Sequence, residues 1–441
     1  MSLKVAIVGS GISGLAAAHA LSNQVEVSLF EAGTYFGGHT HTVDVTLPTP
    51  QGMVTHGVDT GFLVLNERTY PNLLNLFAEL GVVTAKSDMS FSVQAFDQIN
   101  ERALEWSGCN LNTVFAQRSN LVNGSFWGML RDLLRFNTLT TRIAQSGSEV
   151  ELAQPLGDFL REHRFGRAFC DWYFLPMMAC IWSCPTAQML HFPVATMVRF
   201  CHNHGLLQIT NRPQWWTVQG GARHYVGKIT SSIQDKRLNS PVRRIESVDA
   251  TPVQRAGVYI STDTGREFFD KVIIATHANQ ALAMIAAPSD QERSTLGAIR
   301  TQPNRAVLHT DVSVLPKRKA AWAAWNYERA PATVKENARV CLHYLINRLQ
   351  PLPWQQPVIV SLNPARDIDP AKILGSFDYA HPVFDQAAVA AQGRMQLLQG
   401  QQSRYFCGAW MGYGFHEDGL KAGQAAANQL LADLSRLGVS A

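Results

Sequence analysis

The chain has 441 residues, of which 46% are apolar and 16% charged; that is enough for one large core and a second, and it excludes disorder. Its formal net charge of +4 is small and is not gathered into a basic run, so nothing supports a nucleic-acid partner. The seven cysteines form no zinc-like pairs, which points to a reduced, cytoplasmic protein. No signal peptide is expected, because Met1, Ser2, Leu3 and Lys4 run straight into an apolar strand.

That strand, residues 4–8, breaks into Gly9, Gly11 and Gly14 as a helix begins. In such a unit the first glycine permits a tight turn, the second lets backbone approach a pyrophosphate, and the third lets helix and strand pack closely. The free N–H groups of the helix then face the phosphates. A second strand, residues 25–30, ends in Glu31, placed for an adenosine ribose. A carboxylate there argues against a 2′-phosphate but does not separate NAD from FAD.

Next come Gly37, Gly38, His39 and Thr40, a strand-like HTVDVTL, and the run VDTGFLV at 58–64. Leu73, Leu74, Phe77 and Leu80 share one face of a helix over 70–80, with Gly81 as its stop. Residues 84–213 read as mainly helical and are rich in aromatics between 169 and 200. Strands follow at 257–261 and 268–276, then at 306–310, 320–325, 358–362 and 373–377. The chain closes with a strand at 404–407, a glycine-rich turn and a helix over 419–431. The pattern is α/β: a Rossmann-type nucleotide domain (1–83, 214–299, 386–441) interleaved with an α+β substrate domain (84–213, 300–385).

The segments GGHTHTV, VDTGFLVLNERTYPNLLNLF, DMSFSV, CIWSCP, FCHNHGLL, WWTVQGGARHYV, VIIATHANQAL and FCGAWMGYGFHEDGLKAG carry a specific pattern. By them the chain resembles the flavin-containing amine oxidase superfamily along nearly its full length. Within it the chain is most similar to bacterial predicted NAD/FAD-binding oxidoreductases associated with modified fatty acids. The resemblance implies an amine oxidase-like fold and noncovalent FAD. Gly9, Ser10, Gly11, Ile12, Ser13, Gly14, Glu31 and Ala32 would hold its adenosine diphosphate end. Gly37, Gly38, His39, Thr40, Gly61 and Phe62 would lie beside the pyrophosphate or flavin, and Val242 beside the adenine. Ala275, Thr276, Gly408, Ala409, Glu417, Asp418, Gly419 and Leu420 complete the implied set, with the terminal helix directed at the flavin. His39 stands where relatives commonly carry an arginine, and Gly408-Ala409-Trp410 lacks the acidic residue many relatives place there. Cys407 reads as a buried thiol rather than a flavin attachment.

His416, Tyr379 and His381 are the candidate acid–base residues, against structural hydrogen-bonding roles for each; Asp418 reads first as a helix cap. The paired spacings His39/His41 and His202/His204 lack a third ligand, so no metal is expected. The apolar run 172–182 reads either as core or as the wall of a tunnel for a methylene chain, or as an exposed membrane-facing surface. The expectation is an FAD-dependent oxidoreductase acting on an unsaturated or modified fatty acyl group. It would use oxygen or another electron acceptor and make at most transient contact with the inner membrane face. The alternatives are an amine or amino-acid oxidase, a fatty acyl double-bond isomerase, and a non-catalytic flavin- and lipid-binding protein.

Overall fold

The computed structural model describes residues 3–97, 102–146, 152, 154–206, 213–329 and 340–436; Met1, Ser2 and Leu207 fall outside them. A five-stranded parallel sheet runs in the order Asp235–Arg237, Glu26–Phe30, Lys4–Val8, Lys271–Ile274 and Arg404–Phe406. Its strands come from three separated stretches of chain. Val5, Ala6, Ile7, Val272, Ile273 and Ile274 are fully buried, the near-continuous apolar run of a strand covered on both faces.

The second layer is a seven-stranded sheet in the order Ile373–Pro382, Thr301–His309, Ile359–Leu362, Cys341–Leu345, Trp325–Glu328, Phe91–Asp97 and Arg102–Ser107. Small sheets link the layers, among them Leu65–Asn66, Trp215–Val218 and Thr84–Ser87. The helix expected over 70–80 spans Pro71–Leu80 and stops at Gly81 in the left-handed region, φ 61°.

Five expectations change. The head of the stretch expected to be mainly helical is three strands, Thr84–Ser87, Phe91–Asp97 and Arg102–Ser107. The strand expected over 268–276 is two, Arg266–Phe269 and Lys271–Ile274, in different sheets. The stretch 320–325 is not a strand: Lys319–Ala321 makes a 3₁₀ turn and pairing starts at Trp325. The amides of Ala323 and Ala324 go instead to Asn326 Oδ1 and Ser90 Oγ, at 2.9 and 2.8 Å. The strand expected over 373–377 continues to Pro382, which an edge strand tolerates. The terminal helix starts three residues early and spans His416–Arg436.

That helix packs along the Ile12–Leu21 helix at van der Waals closeness. A Cβ at Gly423 would collide with the Ser13 carbonyl oxygen, and one at Gly419 would press on Ile12 Cγ2 at 2.6 Å. Gly423→Ala is therefore expected to lower stability by about 1–3 kcal/mol. Gly128→Ala, inside the Gly124–Ser146 helix with nothing within 4 Å of the added carbon, should instead gain about 0.5–1 kcal/mol. Urea midpoints of the two variants check the pair.

Candidate functional site

One cavity of about 720 Å³ runs between the two layers. Its first end is walled by Glu31, Ala32 and residues 240–243; its middle by residues 9–13, 37–39, 61–64, Ala275, Thr276 and 408–410; its far end by aromatic side chains.

The first end is built as a dinucleotide cradle. Gly9 sits at φ 100°, and a Cβ at Gly14 would strike its carbonyl oxygen, so the turn and the close helix both need glycine. Gly11 differs: no protein atom lies within 4 Å of a Cβ placed there, although the residue lines the cavity. A side chain at Gly11 would fill the space in front of the Ile12–Leu21 helix, whose N-terminus carries no side-chain cap. Its free N–H groups are an anion seat. Glu31 is fixed beside it, with Oε2 accepting from Ser10 N–H (3.0 Å) and Ser10 Oγ–H (2.5 Å), and Oε1 from Gly33 N–H (2.8 Å).

Histidines gather over the middle. The His39 ring lies 5.2 Å from His381 and 6.2 Å from His277, and stacks on Tyr379 at 4.9 Å. Burial, then the His381, His277 and His416 rings, hold His39 well below the ordinary histidine pKa. One of its ring nitrogens pairs with the Ala380 carbonyl, while Nε2 is buried with no partner. An orphaned ring nitrogen in a cavity wall is an invitation to a ligand. Together with the open Gly11 cradle it makes the residues present a fit for a dinucleotide cofactor.

The far end is apolar. Met89, Phe91, Met177, Ile181, Trp182, Phe200, His204, Leu206, Trp215, Trp325 and Tyr344 line it, with no Asp, Glu, Lys or Arg among them. His204 stacks on Phe200 at 3.8 Å, gives its Nδ1 to the Phe200 carbonyl oxygen at 3.0 Å, and is pushed down by burial to about 4. Among the described residues lining this chamber, none carries charge at neutral pH.

Among the residues singled out from sequence, 9–13, Glu31, Ala32, Gly37, Gly38, His39, Gly61, Phe62, Val242, Ala275, Thr276, Gly408, Ala409, His381 and His416 line the cavity. Gly14, Thr40, Tyr379, Glu417, Asp418, Gly419 and Leu420 do not, and each has other work. Gly14, Gly419 and the fully buried Leu420 are packing positions. The Thr40 hydroxyl bonds Tyr225 (2.5 Å) and His416 Nε2 (2.9 Å) behind the wall. Glu417 is a correction: its buried carboxylate accepts from the amides of Asn72 and Leu73, both at 3.0 Å, and so caps the neighbouring Pro71–Leu80 helix. Asp418 folds back onto the Phe415 amide at 3.0 Å, the local capping role. The Tyr379 hydroxyl is shared between Thr60 (2.7 Å) and His41 (3.1 Å), so it supports His39 from behind rather than touching a ligand.

His416 reaches the wall but is not free to carry a proton through Nε2, which is bonded to Thr40 and, at 2.8 Å, to Tyr225. Its ring lies flat on Phe62, with centroids 3.7 Å apart and planes at 11°, and burial pushes its pKa down to about 3. His381 is different. Asn304 Nδ2 donates to its Nδ1 at 2.7 Å, which leaves the proton on Nε2. Trp172 and Phe174 are 4% and 0% exposed, so the 172–182 run is core with Met177, Ile181 and Trp182 on the chamber wall, and is no membrane-facing surface. The compact ligand-type cluster among the described residues is Glu328, Cys341 and His343 rather than either histidine pair, and Arg366 and His343 already occupy the Glu328 oxygens. All seven cysteines are unpaired, and Cys407 is buried.

Residues 7–80 match the family model of the NAD(P)-binding Rossmann-like domain. No curated protein sequence matches the chain. Across its whole length the fold is that of solved amine oxidase-like flavoenzymes. A candidate protoporphyrinogen oxidase from Exiguobacterium sp. 255-15 is similar at TM-score 0.66 and 14% identity, over 98% of this chain and 99% of that one. Cyclohexylamine oxidase from Brevibacterium oxydans IH-35A is similar at 0.65 and 15%, over 99% and 100%. A CLA-producing fatty acid isomerase from P. acnes is similar at 0.62 and 14%, over 97% and 98%.

The depressed histidines make an acid limb. His416 and His381, at about 3 and about 4, stay neutral when folded but protonate near 6.5 when unfolded. Below pH 6.5 the unfolded chain therefore binds more protons, and stability present above that pH is lost as pH falls toward 4. His416→Gln should flatten this slope by up to about 1.4 kcal/mol per pH unit, read from urea midpoints of the apoprotein between pH 7 and 5.

Proposed function

We propose that this protein is an FAD-dependent oxidoreductase whose substrate is a long, uncharged hydrophobic molecule, an unsaturated or modified fatty acyl group. The observation that carries the reading is the continuity of the cavity, from a glycine cradle at one end to an aromatic chamber at the other, with no charged side chain among the described residues that line the chamber. A bound flavin supplies the hydride chemistry. The free amides at residues 11–13 seat the pyrophosphate, and Glu31 orients the ribose. The stacked pair Phe62 and His416 forms a rigid wall where residues 414–416 bring the terminal helix to the cavity. The chamber excludes water, and each buried methylene contributes about 0.8 kcal/mol to holding the chain.

The amine oxidase fold also favours a second reading, an oxidase of a hydrophobic amine taken up in its neutral form. An acyl isomerase differs in returning the hydride to the substrate, and a non-catalytic lipid carrier would leave the flavin untouched. For membrane contact the supporting surface is the Gly124–Ser146 helix and the turn before it. Val122, Trp127 and Leu134 are exposed there beside Arg131 and Arg135, whose guanidinium groups lie 3.8 and 3.7 Å from the buried Asp132 carboxylate. An anionic lipid surface complements that face.

Anaerobic spectra of the purified holoprotein, titrated with phospholipids, free fatty acids and amines, test the function. Bleaching by an acyl lipid, or a moved double bond without bleaching, is the expected result. Bleaching by amines alone would transfer the assignment to amine oxidation, and failure to bind FAD would remove it. Glu31→Ala is expected to weaken FAD binding about tenfold or more, read by fluorescence of released flavin. For the membrane surface, flotation with anionic vesicles should drop severalfold in a Trp127→Ala, Val122→Ser double variant; equal flotation would count against that face.

A further inference from the structure

Strand register builds an unusual floor for the far chamber. Trp325 pairs directly with Phe91 on one side and with Tyr344 on the other, so three aromatic residues from distant parts of the chain stand abreast on one face. All three line the cavity, and the Trp325 and Tyr344 rings meet edge to face at 5.1 Å. The next residues along, Ser92, Asn326 and His343, belong to the opposite face, where the Ser92 hydroxyl donates to Asn326 Oδ1 at 2.8 Å and the Asn326 amide to the His343 carbonyl at 3.0 Å.

That opposite face satisfies its polar atoms; the chamber face does not. Trp325 Nε1–H is buried and has no partner among the described residues. The Tyr344 hydroxyl makes no hydrogen bond with any described residue, and burial raises its pKa, so it keeps its proton. Two donor-bearing residues thus stand on adjacent strands in a mainly apolar wall that also holds Ser90, Ser183 and His204. An unmet buried donor is costly, and a ligand that supplies an acceptor recovers that cost. As donors the two groups match an acceptor on the ligand, and no carboxylate is among the described residues lining this end to pair with an ammonium head. No cation is among the described residues lining it either, and without one a desolvated carboxylate is expensive and a neutral oxygen cheap.

We propose that Trp325 Nε1–H and the Tyr344 hydroxyl form the polar pole of the chamber and hydrogen-bond an acyl carbonyl oxygen of the substrate. This rests on the acyl-substrate reading and adds to it the group that sets orientation along the cavity. Trp325 and Tyr344 are specificity-determining positions, remote from the cradle that would hold the cofactor.

The test is equilibrium binding to the holoprotein of methyl laurate, laurate and an n-alkane of equal heavy-atom count, followed by perturbation of the flavin spectrum. The ester is expected to bind about tenfold more tightly than the alkane. Trp325→Phe and Tyr344→Phe should each erase part of that preference while leaving alkane affinity within about twofold, as expected for loss of one hydrogen bond. The second, more conservative variant keeps the test intact if the first loses flavin. Tighter binding of the ester than of laurate above pH 8, where the acid is ionised, is expected for a neutral carbonyl oxygen; tighter binding of laurate there would overturn the pole. Equal affinity of ester and alkane in the native protein, or an ester preference surviving both substitutions, would overturn the pole but leave the acyl reading standing. Binding of amines with none of the three probes bound would overturn both.

Discussion

The closeness of the two ends of the chain is the constraint on which the site depends. The first helix, Ile12–Leu21, lies so tightly between the parallel sheet and the terminal helix that Gly14, Gly419 and Gly423 have no room for a Cβ. Sheet contact holds the N-terminus of this helix in front of Gly9, and the terminal helix holds it from behind. The open amides at residues 11–13 are therefore a rigid seat rather than a loop that must organise around a ligand. The same contact carries residues 414–416 into the cavity wall, because the terminal helix cannot shift along its partner without driving Gly423 against Ser13.

Around that seat, polar side chains are arranged in two shells with different duties. The imidazoles in the wall are kept neutral: burial depresses His39, His277, His381 and His416 alike. Those behind the wall fix the first set in place. Thr40 and Tyr225 hold His416, Asn304 holds His381, and Tyr379 lies flat beneath His39. A ring of neutral imidazoles adds no fixed charge to the cavity middle, so any negative charge there would have to be met by backbone amides or by proton uptake.

Local physics made one half of this site legible in sequence and long-range geometry hid the other. Gly9, Gly11, Gly14 and Glu31 announce themselves because turn, cradle and ribose contact follow from spacing within one βαβ unit. The Pro71–Leu80 helix announces itself by periodicity and by Gly81. Glu417 misleads for an instructive reason. A carboxylate at a helix start has a local explanation and a cofactor explanation, yet its partner is the N-terminus of another helix some 345 positions away. Tyr379 misleads similarly: its strand does return to the cavity, where Ala380 and His381 line it, but its own hydroxyl is taken by Thr60.

The chamber floor marks the limit most clearly. Phe91, Trp325 and Tyr344 meet through one parallel and one antiparallel pairing, and a one-residue slip in either would turn a ring to the other face and replace it with Ser92, Asn326 or His343. Nothing local to these residues sets that register. It is set by the buried polar layer beneath, where Asn326 bonds Ser92 on one neighbouring strand and the His343 carbonyl on the other. The asparagine is fully buried, and any slip would strand its amide without partners, a penalty of about 1–3 kcal/mol for each unmet group. A polar contact on the hidden face of the sheet thus holds Phe91, Trp325 and Tyr344 on the visible face in position.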